Sequence, residues 1–290
     1  FWSTTEECYV CYLRTWDSHR SVSRATSKDF LHWSKSTAMT YGNTPREHLY
    51  TNQTHPYFRA PHIYLGIAAR FMPGRRVLTT TQATAIRVNP RYAGDCSDAV
   101  LLTTRGGTVY DRTFMEAILR PGPGLENWVS RTNYPALGIL PVRDGLAIYV
   151  QKNYGQPTAH LDRYTIRTDG FVSVRGPYSG GEMITRPVRF GPLSKGDTET
   201  RRKQGSQPVA QELVVNFATS AAGSLRVEIQ DLDRKPIEGF RLADSVELVG
   251  DLVAQAVAWR GGTDLSRLGG KPVRLRFVLK DADLYSMRVR

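Results

Sequence analysis

The chain has 290 residues, a net charge of +12 and 40% hydrophobic residues, which is typical of globular proteins and excludes a disordered chain. No apolar run approaches the roughly 20 residues that a membrane-spanning helix needs. The positive charge comes from 31 Arg and only 8 Lys, and they are scattered rather than gathered in a stripe with stacking aromatics. This pattern argues against nucleic acid as a partner. Because guanidinium groups pair with carboxylate and sulfate, the arginine excess fits an anionic polysaccharide.

Strand patterns follow one another along the chain, separated by short stretches rich in Gly, Pro, Asp and Asn. The predicted strands are YVCYLRTW (9–16), HIYLGIAARF (62–71), AVLLTT (99–104), LGILPV (137–142), LAIYVQ (146–151), ELVVNFA (212–218), LRVEIQD (225–231) and VRLRFVL (273–279). Helical periodicity is scarce, and the best helical candidate is one short turn at DLSRLGG (264–270). The sequence therefore predicts an all-β protein.

A turn between strands recurs in the first two thirds of the chain. TSKDFLHW (26–33) is echoed by TTRGGTVYDR (103–112) and by TIRTDGFVSV (165–174). Each is a strand end, then a polar or glycine turn, then a stretch with aromatic or β-branched residues that we expect to open the next strand. A β unit repeated at this spacing is typical of propeller blades of about four strands each. We expect about four such blades in residues 1–185.

The composition changes after residue 185. Residues 186–211 are polar, charged and interrupted by Gly and Pro, as expected of a linker. Beyond them, LRVEIQD and VRLRFVL alternate strictly between apolar and polar residues, which predicts an antiparallel sheet buried on one face. We therefore predict a β-propeller in residues 1–185, a linker in 186–211 and a β-sandwich in 212–290.

The cysteines and histidines do not form a convincing metal site. Cys8 and Cys11 have the spacing of a CxxC motif, but residues three apart on a strand point to opposite faces. Cys96 has two aspartates nearby, which raise rather than lower a thiol pKa. We expect structural cysteines, no metal site and no cofactor, while a structural Ca²⁺ stays open.

The turn with Ser27, Asp29, Phe30 and Trp33, followed by the propeller-then-sandwich order, resembles the five-bladed β-propeller glycoside hydrolases of families 32 and 43. More specifically, residues 111–142 and 270–289 resemble uncharacterised bacterial proteins related to family 32 that carry a C-terminal β-sandwich. The resemblance implies a propeller of five blades with its site in the axial funnel. It also implies a location outside the cytoplasm, either extracellular or periplasmic.

The chain departs from these families in the motifs that carry catalysis. The W-x-N-D-P-N-G type motif, the R-D-P motif and the E-C motif are all absent. Together with a count of about four blades, this predicts that an N-terminal segment or a second chain completes the propeller. The alternative is that this branch has a different site.

Glycoside hydrolysis needs two carboxyl groups on either side of the scissile bond, one of them protonated. Asp98 precedes an apolar strand, and Glu116 lies among apolar residues that would raise its pKa as an acid requires. Asp17, which follows an aromatic strand, is the third catalytic candidate. Each of these has a plainer interpretation, as a turn, capping or ion-paired residue.

The candidate sugar-binding residues are polar groups in loops that contain aromatics, because saccharides stack on rings and bond through their hydroxyls. They are Arg14, Asn52, Arg59, Arg131, Asn133, Tyr154 and His160. The predicted function is that of a glycoside hydrolase-like protein acting on oligo- or polysaccharide. The alternatives are a non-catalytic carbohydrate-binding propeller and a scaffold that docks protein.

Overall fold

The computed structural model describes residues 1–191 and 211–290. Nearly all of its regular structure is antiparallel β-sheet, so the all-β prediction is confirmed. The chain divides into two compact units, Phe1–Thr165 and Ile166–Arg290, here called unit 1 and unit 2. Residues 192–210, which hold most of the predicted linker, lie outside the described residues.

The first sheet of unit 1 is a meander of four strands in chain order. These are β1 (Trp2–Ser3), β2 (Cys8–Trp16), β3 (Arg20–Ser27) and β4 (Thr37–Ala38). β2 and β3 form a tight hairpin in which Trp16 pairs with Arg20 and Arg14 pairs with Val22. Directly opposed residues share a face of a sheet, so the hairpin places both arginines on the same side.

The turn after β3 is held together by one aspartate. Asp29 Oδ1 accepts hydrogen bonds from the backbone N–H groups of Leu31 and His32, at 2.9 and 2.8 Å. The ring of His32 also bonds to Oδ2 of Asp29, at 2.7 Å. This side-chain bond, followed by the two backbone bonds, holds the pKa of Asp29 well below its ordinary value. The predicted strand does not begin at Phe30, since Phe30 has a φ of +67° and only Trp33 returns to the sheet, as a bridge to Ser27.

The second sheet of unit 1 is built on two long central strands. Its members are β5 (His48–Leu49), β6 (His55–Tyr57), β7 (Ala60–Met72), β8 (Cys96–Thr104) and β9 (Ala117–Leu119). β7 pairs with β8 over nine residues, and β5 and β6 both pair with β7. A short helix, α1 (Thr80–Ala85), lies between β7 and β8 in the sequence. The helix begins with a T-x-x-Q capping box between Thr79 and Gln82. Apolar periodicity does not reveal a helix that is marked only by such a polar cap.

The third sheet of unit 1 contains β10 (Tyr134–Pro135), β11 (Leu140–Val142), β12 (Gly145–Lys152) and β13 (His160–Ile166). Each of the three sheets is built from neighbouring segments of the chain and has four or five strands, as a propeller blade has. Three such sheets form in unit 1 rather than about four. The reason is that the third echo, 165–174, does not make a hairpin, because the strand after it pairs elsewhere.

The core of unit 1 joins the first two sheets. Val22 of the first sheet and Met39, which directly follows β4, pack with Ala68, Val100 and Leu102 of the second sheet, and all five are at most 5% exposed. Val100 and Leu102 share a face because every second side chain of a strand points to the same side of its sheet. A smaller cluster around α1 contains Leu78, Ala83 and Val129.

Among the described residues, unit 2 contains one six-stranded sheet with an apolar core. Its strands are β14 (Val174–Gly176), β15 (Gly181–Ile184), β16 (Val188–Arg189), β17 (Leu213–Gln230), β18 (Asp251–Ala256) and β19 (Pro272–Val289). The two predicted strands 212–218 and 225–231 are halves of β17, separated by a register shift between Thr219 and Ser224. Gly223 lies in that shift, where a Cβ would clash with backbone oxygens of Lys280 and Asp281.

The two halves of β17 contribute to the same core. Leu213, Val215 and Phe217 of one half, and Leu225, Val227 and Ile229 of the other, belong to one cluster and are at most 1% exposed. The predicted apolar face of LRVEIQD is therefore buried as expected. Its polar face is not fully exposed, since Glu228 is 4% exposed and accepts a hydrogen bond from the N–H of Leu242.

The division between the units differs from the predicted one. β14 and β15, within the predicted propeller range 1–185, pair with β19, so these residues belong to unit 2. β14 and β15 are short, and nothing in their sequences indicates that they pair with a strand about 100 residues further along the chain. The helical turn expected at 264–270 is a 3₁₀ helix at Ser266–Leu268, and others lie at Leu125–Trp128 and Leu242–Asp244.

Candidate ligand-binding site

Side chains from all three sheets of unit 1 meet around the ring of Tyr50. Tyr50 follows β5, and its backbone N–H donates to Ala69 of β7 at 2.8 Å. The guanidinium carbons of Arg14, Arg20 and Arg131 lie 5.0, 5.6 and 5.7 Å from the centre of its ring. We call this group, together with the rings beside it, the arginine–tyrosine cluster. Its members are Arg14, Arg20, Tyr50, Phe71, Tyr92, Arg131, Tyr134 and Tyr154.

Each arginine of the cluster lies over an aromatic ring. Arg20 is 4.2 Å from the ring centre of Phe71, and Arg131 is 4.6 Å from that of Tyr92 and 5.2 Å from that of Tyr154. Nη1 of Arg131 also donates to the hydroxyls of both tyrosines, at 3.2 Å each. Stacking on a ring face stabilises the cation. The N–H groups in the plane of the guanidinium stay free to donate to an acceptor.

The positive charge of the cluster has no acidic partner in the part of the chain that the structure describes. Within residues 1–191 and 211–290, no carboxylate forms an ion pair with Arg14, Arg20 or Arg131. Since all three lie within 5.7 Å of one ring centre, no two can be more than about 11 Å apart. At that separation two unit charges repel by about 1.5 kcal/mol at an effective dielectric of about 20. The cluster is therefore a site of unneutralised positive charge.

Tyr134 adds an unsatisfied polar atom to the cluster. Its ring lies 5.0 Å from that of Tyr50, and its hydroxyl is buried without a hydrogen-bond partner in the described part of the chain. Burial raises the pKa of Tyr134 well above its ordinary value, and the positive charges of Arg131 and Arg20 oppose that shift. Buried polar atoms normally have a partner, so this hydroxyl is available to a ligand or to water.

Asp98, the first catalytic candidate, is already bound in an ion-pair network. Its two carboxylate oxygens accept from Nε and Nη2 of Arg70, at 2.9 and 2.6 Å. Nη1 of Arg70 donates to Glu47 at 2.5 Å, and Glu47 in turn accepts from Arg112 at 2.8 Å. Asp98 is 5% exposed and Arg112 is 2% exposed, so most of the network is shielded from water. These four residues are called the Arg70 network below.

Glu116, the second catalytic candidate, is exposed rather than buried among apolar residues. Its apolar sequence neighbours do not cover it, so the apolar surroundings expected for this carboxyl group do not form. The structure does bring it near Asp98. Arg70 holds Asp98 and also donates to the backbone carbonyl of Met115, the residue before Glu116, at 3.0 Å.

Asp17, Asn52 and Arg59 do not join the cluster. Asp17 is exposed in the turn between β2 and β3, where its carboxylate pairs with Arg46 at 2.9 Å. Asn52 uses its side-chain oxygen to accept from the N–H of Thr54 at 3.0 Å, which shapes its own loop. Arg59 lies exposed in the turn between β6 and β7.

Asn133 and His160 also differ from the expected sugar contacts. Asn133 is 1% exposed, donates to the carbonyl of Ser97 at 3.1 Å and accepts from the ammonium group of Lys152. Burial lowers the pKa of Lys152. His160 is exposed, and its ring donates to the carbonyl of Thr158 at 2.7 Å. Of the seven predicted sugar contacts, Arg14, Arg131 and Tyr154 lie in the cluster.

Sequence reasoning passed over Arg20, Tyr50 and Tyr92. A signal for Arg20 was present, because a tight hairpin after Trp16 places Arg14 and Arg20 on one face. Tyr50 and Tyr92 lie in irregular segments, and no local pattern indicates that they approach Arg131. Their proximity depends on how the second and third sheets pack.

Metal-binding and membrane features are scarce in the described residues. No group of three or more His, Cys, Asp and Glu residues there is arranged to hold a metal ion. Cys8 is buried and Cys11 exposed on the same strand, as expected for opposite faces, and all three cysteines are free. Burial, followed by the charge of Asp98, raises the pKa of the Cys96 thiol to about 11. No helix in the described ranges has the length and apolarity to span a membrane.

Comparison with known proteins reveals little similarity. No protein-family model matches the chain, and no curated protein matches it at a significant level. A solved structure of a fructofuranosidase from Schwanniomyces occidentalis, complexed with fructosylnystose, aligns with 100% of this chain and 68% of its own. The sequence identity is 9% and the TM-score is 0.24, values too low to carry an argument about the fold or the site.

Proposed function

We propose that unit 1 binds carbohydrate at the arginine–tyrosine cluster. The observation that carries this proposal is the convergence of Arg14, Arg20 and Arg131 on the ring of Tyr50, with further rings beside them. Aromatic faces stack on the C–H groups of a sugar ring, while guanidinium and phenol groups bond its oxygens. The resemblance of the SKDFLHW turn to glycoside hydrolases of families 32 and 43 also supports a sugar ligand.

The test is direct binding of a panel of oligosaccharides, neutral and acidic, to the full chain by calorimetry and ligand-observed NMR. We expect Tyr154→Ala to weaken binding about 3- to 10-fold, as the loss of one stacking ring would. Tyr149→Ala is the matched control, because Tyr149 is 37% exposed on β12 and is not part of the cluster. If the folded chain binds no member of the panel, the proposal falls and the interpretation as a protein-docking scaffold replaces it.

Glycoside hydrolysis is the second candidate function. What favours it is that Arg70 contacts both Asp98 and the residue next to Glu116, so the two predicted carboxyl groups lie in one region. In this proposal Glu116, which is exposed, is the group that reaches a substrate, and Asp98 is held in place by Arg70. The roles of Asp98, Glu116 and Asp17 stay predictions, as does the location outside the cytoplasm.

Release of reducing sugar from the same panel tests this second candidate. The comparison includes the chain with Asp98→Asn, with Glu116→Gln and with Asp17→Asn. Loss of activity in Glu116→Gln without loss of folding would support hydrolysis. If sugar is bound but never cleaved, the chain is a non-catalytic binding module.

A further inference from the structure

We infer that the arginine–tyrosine cluster selects acidic saccharides, with carboxylate or sulfate groups on neighbouring sugar units, over neutral ones. This inference rests on the proposed binding of carbohydrate at the cluster and names the class of ligand. Four observations lead to it: unused donors, missing counter-charges, an unsatisfied hydroxyl and the arrangement of the arginines.

Most of the N–H donors of the three arginines make no hydrogen bond within the described residues. A guanidinium carries five N–H donors. In the described residues, the side chains of Arg14 and Arg20 donate no hydrogen bond, and Arg131 uses one nitrogen, on two tyrosine hydroxyls. Because each cation lies over a ring, its N–H edge is held in place rather than free to rotate. An ordered N–H edge pairs bidentately with a carboxylate, or with two oxygens of a sulfate.

Three carboxylates of the first two sheets of unit 1 or their flanking loops are bound elsewhere. Asp17, at the tip of the hairpin that carries Arg14 and Arg20, pairs with Arg46. Asp98 and Glu47 are both held by Arg70. The acids among the described residues therefore leave the cluster's charge unneutralised, and an anionic ligand would neutralise it. A neutral sugar would bond the same N–H groups and leave that repulsion in place.

The buried hydroxyl of Tyr134 is a second and independent indication of a ligand. It has no partner in the described chain and lies beside Tyr50, among groups that include Arg131 and Arg20. A phenol hydroxyl donates to an anion as well as to a sugar oxygen. An anionic ligand at the cluster would therefore satisfy both the guanidinium edges and this hydroxyl.

The arginines reach Tyr50 from two separate parts of the chain. Arg14 and Arg20 come from one hairpin of the first sheet, whereas Arg131 precedes β10 of the third sheet and approaches Tyr50 separately. Guanidinium groups that each keep N–H donors of their own can pair with more than one acidic group. Rings between the cations provide surfaces for the sugar units between the charges.

The experiment measures binding of three matched ligands to the full chain by calorimetry at two salt concentrations. They are a galacturonic acid trimer, its methyl ester as the neutral counterpart, and a sulfated disaccharide series. The variants are Arg14→Gln and Arg131→Gln. Arg105→Gln is the control, because Arg105 is exposed in the turn after β8 and its loss changes the net charge equally. Arg14 is itself exposed, so its variant does not endanger folding.

We expect the acidic trimer to bind at least about 10-fold more tightly than its ester, as one charge-assisted pair would give. Arg14→Gln and Arg131→Gln should each remove most of that preference, and Arg105→Gln should retain it. Whether the carboxylated or the sulfated ligand binds more tightly identifies the anion.

Two results would overturn the inference. Equal affinity for the trimer and its ester would leave carbohydrate binding intact and remove the selectivity for acids. An equal loss in Arg105→Gln and Arg131→Gln would mean that the net charge of +12, not the cluster, attracts the ligand. If neither ligand binds, the proposed function itself fails.

Discussion

Arg70 holds Asp98 through both carboxylate oxygens, so the residue that sequence reasoning ranks first for catalysis is also part of a buried ion pair. A carboxylate held in this way orients its arginine and has both of its oxygens engaged in hydrogen bonds. Any loss of function in an Asp98 variant must therefore be separated from a loss of stability.

We expect Asp98→Asn to lower the free energy of unfolding by about 3 kcal/mol, because it leaves the charge of Arg70 without its bidentate partner in a poorly hydrated site. Chemical denaturation of both proteins would measure this change. Asp17→Asn is the control: its pair with Arg46 is exposed on both sides, at 73% and 49% for the two side chains. An exposed pair contributes about 0–1 kcal/mol, so similar losses in both variants would contradict the assigned burial.

We expect Glu47→Gln and Asp98→Asn to be non-additive. Both carboxylates bind the guanidinium of Arg70, and Glu47 also holds Arg112, whose side chain is 1% exposed. Residues that share a partner in one network show interaction energies of about 0.5–3 kcal/mol. A double-mutant cycle by urea denaturation measures this coupling. If the two losses simply add, Arg70 does not link the two carboxylates in solution.

Gly66 lies where β7 passes close to the loop before β6, and we expect Gly66→Ala to destabilise unit 1 by about 1–3 kcal/mol. A Cβ there would lie 2.5 Å from the backbone oxygen of Asn52 and 2.9 Å from Oγ1 of Thr54. Gly94→Ala is the matched control, because a Cβ there meets nothing within 4 Å. Thermal unfolding should separate the two variants, and equal melting temperatures would argue against the close approach at Gly66.

His48 makes stability depend on pH. Burial, followed by the positive charges of His19 and Arg20, lowers its pKa below the ordinary value of 6.5. The unfolded chain therefore binds a proton at this residue at higher pH than the folded chain does, and the free energy of unfolding falls as pH drops below 6.5. The folded protein also loses a bond on protonation, since Nδ1 of His48 accepts from the N–H of Arg20 at 3.2 Å.

The measurement is urea denaturation of the chain and of His48→Gln at a pH of about 7.5 and about 5.5. We expect the variant to lose less stability than the parent on acidification. His62→Gln is the control, because His62 is exposed. The same pH dependence in all three proteins would mean that another group is responsible.

Much of the secondary structure was predictable because it depends on local chemistry. Alternation places Leu225, Val227 and Ile229 on one face of β17, and a run of apolar residues marks β7 and β8, whatever their partners are. The turn at Asp29 was equally local, since its carboxylate bonds backbone groups two and three residues ahead. The spacing of Cys8 and Cys11 predicted opposite faces for the same reason.

Only the tertiary structure decided which of the chemical groups meet. Residues 174–184 join β19 from the far end of the chain, and Arg14, Tyr50 and Arg131 converge although each lies in a different sheet or its flanking loop. Glu116 is exposed in an apolar stretch, and Asp98 is paired with an arginine 28 residues away. A sequence pattern specifies the face on which a side chain lies, but its partner and its burial depend on how distant sheets pack.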